Sequence, residues 1–413
     1  MTGPILFVCS NQTHVRMFTS VARCLLQTAE VAPIRWVALD RYYRQDAEKA
    51  LRANGWAEYA LLPRPAGARG TPWEGGPLAR MRVFRQGRRA VSEFLRDSPP
   101  GIVVLGNDIG TLERLFLAEC RDHKIPSLLV QEGVFALHEE VPAQFSEPRR
   151  LLHKIMIGLG LRMSDPRPCG LNEAGRVAVM GDAVARWLTG HGVSPERIAV
   201  TGQPRYDFLH ALQQGDAQPQ SLEHLQLPDA QKIILFSSQP YPCYNMCGEA
   251  AARRVWQTVI YGVKGLGEGH HLIAKLHPAE DLEWTRRWLA DIFPPEWTLT
   301  RDEDVFSLTF RADAVVTVVS TTALEALCLG KPVALLEACG AVQPIPYALS
   351  GAALQASDAA ELTARLCQAL YDGAVRLRLT EAGETFVREH LHLLDGKAAD
   401  RVAGEIRRAL SRS

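Results

Sequence analysis

The sequence predicts an α/β protein with two Rossmann-like parallel-sheet domains facing a cleft. Three observations carry this expectation. Short β-branched apolar runs alternate with helical patterns, as right-handed βαβ units require. The alternation breaks at a polar stretch, His210–Ala230, and restarts at Lys232. The length, 413 residues, exceeds one ordinary core and fits two.

In the first half the apolar runs predict strands at Pro4–Cys9, Ile34–Leu39, Tyr59–Leu62, Gly101–Leu105, Pro126–Gln131, Arg176–Met180 and Arg197–Thr201. Ser10–Val15 is polar and reads as a loop. Helical periodicity covers Arg16–Gln27, Gln45–Asn54, Gly110–His123 and Ala183–Gly190. Pro63–Pro77, rich in Gly and Pro, reads as a loop, and Leu78–Leu95 as a basic amphipathic helix.

In the second half, strands are expected at Lys232–Ser237, His271–Leu276, Trp297–Thr300, Ala314–Val319 and Val333–Leu336. Helices are expected at Val255–Leu266, Leu282–Asp291, Val305–Phe310 and Ala359–Asp372. A further helix after Ser320-Thr321-Thr322 is stopped at Leu329 by Gly330 and Pro332. The tail from Ala374 reads as nearly all helical. The domain boundaries follow as 1–206, a linker at 207–231, 232–385 and a C-terminal helix at 386–413.

Composition narrows the function classes. The chain is 47% apolar and 22% charged, with a formal net charge of zero, which does not suit a general nucleic-acid binder. The nine cysteines are scattered and odd in number, and no secretion signal precedes them, so they read as reduced thiols of a cytoplasmic protein. Cys243 and Cys247 are the closest pair, and without a partner pair they read as structural. No run approaches the roughly 18 apolar residues of a membrane span. Arg149–Met163 is both basic and apolar and could rest on an anionic membrane surface; the plainer reading is a loop and helix.

Ligands of open parallel sheets lie at the carboxyl ends of the strands. That rule selects Ser10–His14, Asn107-Asp108, Gln131–Gly133, Ser237–Gln239, His277 and Ser320–Thr322. Ser320, Thr321 and Thr322 stand where a strand hands over to a helix, which suits a phosphate. Their bland alternative is a capping box of Thr322 with Glu325. Lys275 precedes His277 on the same side of its strand, and His277 could donate to a phosphate oxygen. It could instead cap the helix at Asp281. Glu132, at an apolar strand end, can have a raised pKa and act as general base, the alternative being a solvated turn residue. Asp108 could orient a hydroxyl, although capping the next helix suits it better. His14 and Arg16 are weak candidates for facing a ligand, and Glu325 or Glu337 could hold a ribose hydroxyl. There is no GxGxxG near Ser10, no Walker motif and no HExxH, which argues against a nicotinamide dehydrogenase and a P-loop NTPase. Asp302-Glu303-Asp304 could in principle hold a cation, but capping explains it better, so no metal and no cofactor is expected.

These residues together resemble the GT-B glycosyltransferase fold. The resemblance rests on Lys275-Leu276-His277-Pro278, the strand followed by Ser320-Thr321-Thr322, the Gly330-Lys331-Pro332 turn, Arg197–Leu209, and Asp395–Ala398 with Arg401-Val402. Within it the chain is similar to bacterial capsule and surface-polysaccharide transferases: polysialyl- and Kdo-transferases and CDP-glycerol glycerophosphotransferases. Those carry a D/E-D/E-G motif, an HP motif and a Ser/Thr pair, matched in order by Gln131-Glu132-Gly133, His277-Pro278 and Ser320-Thr321, with Gln131 replacing an acid. The resemblance implies Glu132 as base, His277 on the donor phosphate, and Ser320 and Thr321 on the same phosphate. Lys275, Ser237, Ser238, Thr322 and Glu325 would complete the donor site of the second domain. His14, Arg16 and Asp108 would bind the acceptor in the first, braced by the C-terminal helix.

The expectation is therefore a metal-independent transferase moving a sugar or polyol phosphate from a CMP- or CDP-linked donor to a glycan or lipid-linked acceptor. The alternative is an enzyme similar to the hydrolysing UDP-N-acetylglucosamine 2-epimerases, whose G-D-T, E-A-G and HP motifs resemble Gly106-Asn107-Asp108, Glu132-Gly133 and His277-Pro278. Their D-S-G-G and H-x-E-A-G-L-R strings are missing. A GT-B-like binding protein without turnover ranks third, because Glu132, His277 and Ser320 are all present.

Overall fold

The computed structural model describes residues 3–28, 32–43, 46–64, 76–133, 155–156, 169–240, 247–318, 320–337 and 345–411. Cys243 and most of Arg149–Met163 lie outside them. The chain divides into two compact units: Met1–Asp207 with His390–Ser413, and Phe208–Glu389. Among the described residues no helix is long and apolar enough to cross a membrane.

The first unit holds seven parallel strands: β1 (Ile5–Cys9), β2 (Ile34–Ala38), β3 (Ala60–Leu61), β4 (Ile102–Leu105), β5 (Ser127–Val130), β6 (Arg176–Val179) and β7 (Ile198–Val200). Their order is β3-β2-β1-β4-β5-β6-β7, so the sheet reverses direction between β1 and β4. Its helices are α1 (Gln12–Leu26), α2 (Ala47–Ala53), α3 (Pro77–Asp97), α4 (Thr111–Asp122), α5 (Asp182–Gly190) and α6 (Asp207–Gln214), the last crossing into the second unit. Leu6 and Val8 pack on one face with α3 and α4, and Ile5, Phe7 and Cys9 on the other with α1. The period-2 alternation thus feeds two cores, which is why β1 is buried throughout.

The second unit holds β8 (Lys232–Ser237), β9 (His270–Lys275), β10 (Thr298–Thr300), β11 (Ala314–Thr317), β12 (Val333–Leu336) and β13 (Leu354–Ala356). The order is β10-β9-β8-β11-β12-β13, all parallel, with its reversal between β8 and β11. Its helices are α7 (Glu249–Lys264), α8 (Leu282–Trp288), α9 (Val305–Arg311), α10 (Thr322–Cys328), α11 (Ala359–Tyr371) and α12 (Gly373–Leu391). α10 ends as its residues predict. Gly330 takes φ +66°, its N–H bonds to Leu327 O, and Lys331 N–H bonds to Ala326 O, a Schellman closure.

The last helix, α13 (Ala398–Leu410), belongs to the first unit. Its Val402, Ala403 and Ile406 join the α1 face of the sheet, and full burial of each of the larger two stabilises by about 1.5–3 kcal/mol. Asp207 caps it from 191 positions away, accepting from the N–H groups of Ala398 (2.9 Å) and Ala399 (2.8 Å). Arg401 donates to Thr201 O at 2.7 Å and pairs with Asp395.

Several expectations need correction. α1 starts at Gln12, so Ser10–Val15 is not a loop; Asn11 accepts from His14 N–H and starts the helix early. α7 starts at Glu249 rather than Val255, since the Glu-Ala-Ala-Ala run after Gly248 favours helix. α6 occupies part of the stretch read as a linker, and β13 adds an unforeseen edge strand. Cys247 is disulfide-bonded, against the expectation of thiols throughout.

Candidate functional site

Each sheet gathers its polar residues at its own reversal point, where the carboxyl ends of diverging strands leave room for a ligand. In the first unit, β1 delivers Ser10 and Asn11, β4 delivers Gly106, and β5 delivers Gln131-Glu132-Gly133. Capping by Asn11 places His14 in the first turn of α1, fully buried. Its Nδ1 accepts from Ser10 N–H at 3.3 Å and lies 3.0 Å from Ser10 Oγ. The neutral ring therefore carries its proton on Nε2, which faces Glu132 Oε2 at 3.0 Å. Asn11 Nδ2 donates to Glu132 Oε1 at 3.1 Å. A Cβ on Gly106 would fall 2.4 Å from His14 Cδ2, so a side chain there would displace the ring.

This geometry reverses the expectation for Glu132. Burial alone pushes its pKa up, but the charge and hydrogen bond of His14, with help from Arg205 and Asn11, outweigh it and hold the carboxyl below its usual range. Glu132 is an ionised carboxylate with 30% of its side chain exposed. Gln131 is buried: its Oε1 accepts from Met180 N–H and its Nε2 donates to Gly133 O, both at 2.8 Å. Gln203 Nε2 donates to the carbonyls of Gln131 and Glu132 at 2.6 and 2.8 Å. Gln131 and Gln203 thus clamp the turn that aims Glu132.

The other first-unit candidates lie elsewhere. Arg16 is exposed on α1. Asp108 is fully buried and accepts from Gly170 N–H with both oxygens, at 3.0 and 3.1 Å. Burial raises its pKa despite the hydrogen bonds from Cys169, Gly170 and Asn172. It ties down the 169–172 segment and does not cap α4, whose N-cap Gly110 brings no side-chain cap; Asn107 Oδ1 takes the N–H groups of Ile109 and Gly110 in the turn before it.

In the second unit, β8 delivers Ser237 and Ser238, β9 delivers Lys275 and His277, and β11 leads to Ser320–Thr322. Ser237 Oγ lies 3.1 Å from Thr322 Oγ1, to which Ser320 Oγ donates at 3.0 Å. Thr322 N–H donates to Ser320 Oγ at 3.1 Å. Thr321 holds the N-cap position with helical backbone and no side-chain cap bond, so the capping box does not form. Glu325 is buried, and its charge helps burial raise the pKa values of Cys328 and Tyr347. Glu337 is exposed after β12.

His277 does not cap α8; Asp281 does, accepting from Trp284 N–H at 2.7 Å. His277 Nδ1 accepts from Ala279 N–H at 3.1 Å, which puts the neutral ring's proton on Nε2. Burial, then the charge of Lys275, lowers the pKa of His277 and favours that neutral form. Lys275 Nζ donates to the carbonyls of Leu276 (3.0 Å) and Arg301 (2.6 Å), an anchored cation. Asp304 caps α9, Glu303 meets His224 and Asp302 pairs with Arg301, so the acidic triplet is spread over three separate partners.

Sequence reasoning missed the roles of Gln203 and Glu280; Asn11 lay within the selected Ser10–His14 stretch and Gly106 within the Gly106-Asn107-Asp108 turn, without a role assigned to either. Glu280 accepts from His277 N–H at 2.7 Å and Ser238 Oγ at 3.1 Å, joining β8 to the His-Pro turn. Its signal was its spacing, three residues after His277. The role of Gln203 had no local signal, since it acts on residues far along the chain.

No protein-family model matches this chain, and no curated protein matches it in sequence. Many solved structures match it in shape. The UDP-N-acetylglucosamine 2-epimerase of Neisseria meningitidis, bound to UDP-GlcNAc, aligns with TM-score 0.67 at 12% identity over 98% of this chain and 100% of its own. MnaA of S. aureus with UDP aligns with TM-score 0.66 at 14% identity over 99% and 97%. The spinosyn rhamnosyltransferase SpnG, complexed with thymidine diphosphate, aligns with TM-score 0.56 at 11% identity over 98% and 100%. The repeated likeness to epimerases, several holding UDP or UDP-GlcNAc, overturns the expectation of a CMP- or CDP-donor transferase. At these identities the likeness establishes the architecture: the chain has the GT-B fold, two parallel-sheet α/β units with C-terminal helices.

Proposed function

We propose that this protein processes a UDP-activated amino sugar by proton transfer at the sugar ring, in the manner of a hydrolysing 2-epimerase. The observation that carries the reading is the ionised Glu132 held against His14 at the reversal point of its sheet. The whole-length likeness to UDP-N-acetylglucosamine 2-epimerases supports the substrate class.

Glu132 is the base in this reading. It takes the proton from C2 while the C1–oxygen bond to the diphosphate breaks. The C–H electron pair becomes the C1–C2 double bond, and UDP leaves with the C1–O pair. Return of a proton to the opposite face of C2, with water adding at C1, completes an epimerised free sugar. His14 stabilises the carboxylate by donating its Nε2–H to Glu132 Oε2. In the second unit, the Nε2–H of His277 and the hydroxyl of Thr321 are the donors offered to a diphosphate. Lys275 tunes His277, and Glu280 positions it.

The test is incubation with UDP-N-acetylglucosamine in D2O, followed by NMR. Deuterium at C2 together with UDP release, both lost in Glu132→Gln, is the expected result. UDP release without deuterium would replace epimerisation by simple hydrolysis. Neither signal, with no stabilisation by UDP, would remove the nucleotide-sugar assignment; a ligand at 100 times its Kd should add about 2.7 kcal/mol.

A further inference from the structure

The charge on α3 is one-sided. This helix carries six arginines against Glu93 and Asp97, in a chain whose formal net charge is zero. Its apolar face, with Val83, Phe84, Val91 and Leu95, is buried, and the helix packs on α4. The outward face is ordered. At 100° per residue, Leu78, Arg82, Arg85, Arg89 and Arg96 fall within about 60° of arc, a straight line about 27 Å long. All five are exposed, and Leu78, at one end of the line, is 82% exposed. Arg88 is exposed on the flank. Arg89 pairs with Glu93, whereas Arg82, Arg85 and Arg88 make no ion pair among the described residues.

We propose that this stripe docks the protein on an anionic phospholipid surface. A straight cationic line on a rigidly packed helix matches a planar array of phosphates and needs no insertion of the helix. An exposed leucine on the same line adds an apolar contact that suits the headgroup boundary. A nucleic acid is the poorer match, because the basic charge stays on one helix while the whole chain is neutral. The inference is independent of the reaction proposed above.

The test is co-sedimentation of the full chain with vesicles of phosphatidylcholine alone or with about a third phosphatidylglycerol. Binding only to the anionic vesicles, lost at high salt, is expected. Arg82→Gln, Arg85→Gln and Arg89→Gln combined should weaken binding on the order of a hundredfold, about fivefold per charge. The same charge change at the exposed Arg254, Arg378 and Arg388 of the second unit should leave it nearly intact. Equal loss in both variants, no preference for anionic vesicles, or binding to heparin without binding to vesicles would overturn the proposal.

Discussion

His14 Nε2 stands 3.0 Å from Glu132 Oε2, although 118 residues separate them. The imidazole is enclosed and the carboxylate is partly open, so the pair presents Glu132 outward and hides its partner. That asymmetry leaves the carboxylate accessible and encloses the imidazole that holds it.

Replacing His14 with Gln should leave burial as the dominant influence on Glu132 and raise its pKa. In the wild type the folded pKa is lowered. The stabilising contribution is therefore present above the unfolded value, near 4.3, and fades as pH falls through the folded one. The acid limb of the pH–rate profile should move up by about a unit or more in the variant, with a rate loss of roughly 10²–10⁴ at neutral pH. An unmoved acid limb would separate His14 from the proton chemistry.

Gly106→Ala should act on the same pair from the opposite side, because the added methyl meets His14 Cδ2 at 2.4 Å. Overpacking should cost about 1–3 kcal/mol in a denaturant titration, with a rate loss approaching that of His14→Gln. Gly190→Ala, where nothing lies within 4 Å, is the control and should cause neither loss.

Glu280→Ala should loosen His277 without touching its ring. It strips acceptors from His277 N–H and Ser238 Oγ, a loss of about 1–3 kcal/mol in the local structure. UDP affinity, measured by calorimetry, should fall about tenfold, and Glu280→Gln should recover part of it. Full affinity in the alanine variant would show that the His-Pro turn holds its shape without this carboxylate.

Asp207→Ala should uncap α13. The loss of two backbone acceptor contacts predicts about 0.5–2 kcal/mol of destabilisation, read from urea unfolding of the full chain. Burial raises the pKa of Asp207, so the folded state holds its proton more tightly than the unfolded one. Its titration therefore lowers stability as pH rises from the unfolded value through the folded one, and the variant should lack that component.

Part of the site was legible before any fold was known. Ser10–His14, Glu132, Ser237, His277 and Ser320–Thr322 were selected as strand-end residues, and the structure places them at the carboxyl ends of β1, β5, β8, β9 and β11. Asp108 met the same rule, yet its carboxylate is spent on Gly170. A strand-end position says where a residue emerges, not what its side chain meets.

The sequence by itself determined the alternation of strands and helices, its restart at Lys232 and the stop of α10 at Gly330. These depend on residues a few positions apart: apolar periodicity, and a left-handed φ that glycine adopts freely. Only the tertiary structure decided that His14 faces Glu132, that the carboxyl of Glu132 is lowered rather than raised, and that Asp207 caps a helix starting at Ala398. A pKa is the balance between burial and neighbouring charge, and a long-range cap needs a donor and an acceptor at hydrogen-bond distance. Both are set by what the folded chain brings within a few ångströms, over separations that local pattern does not encode.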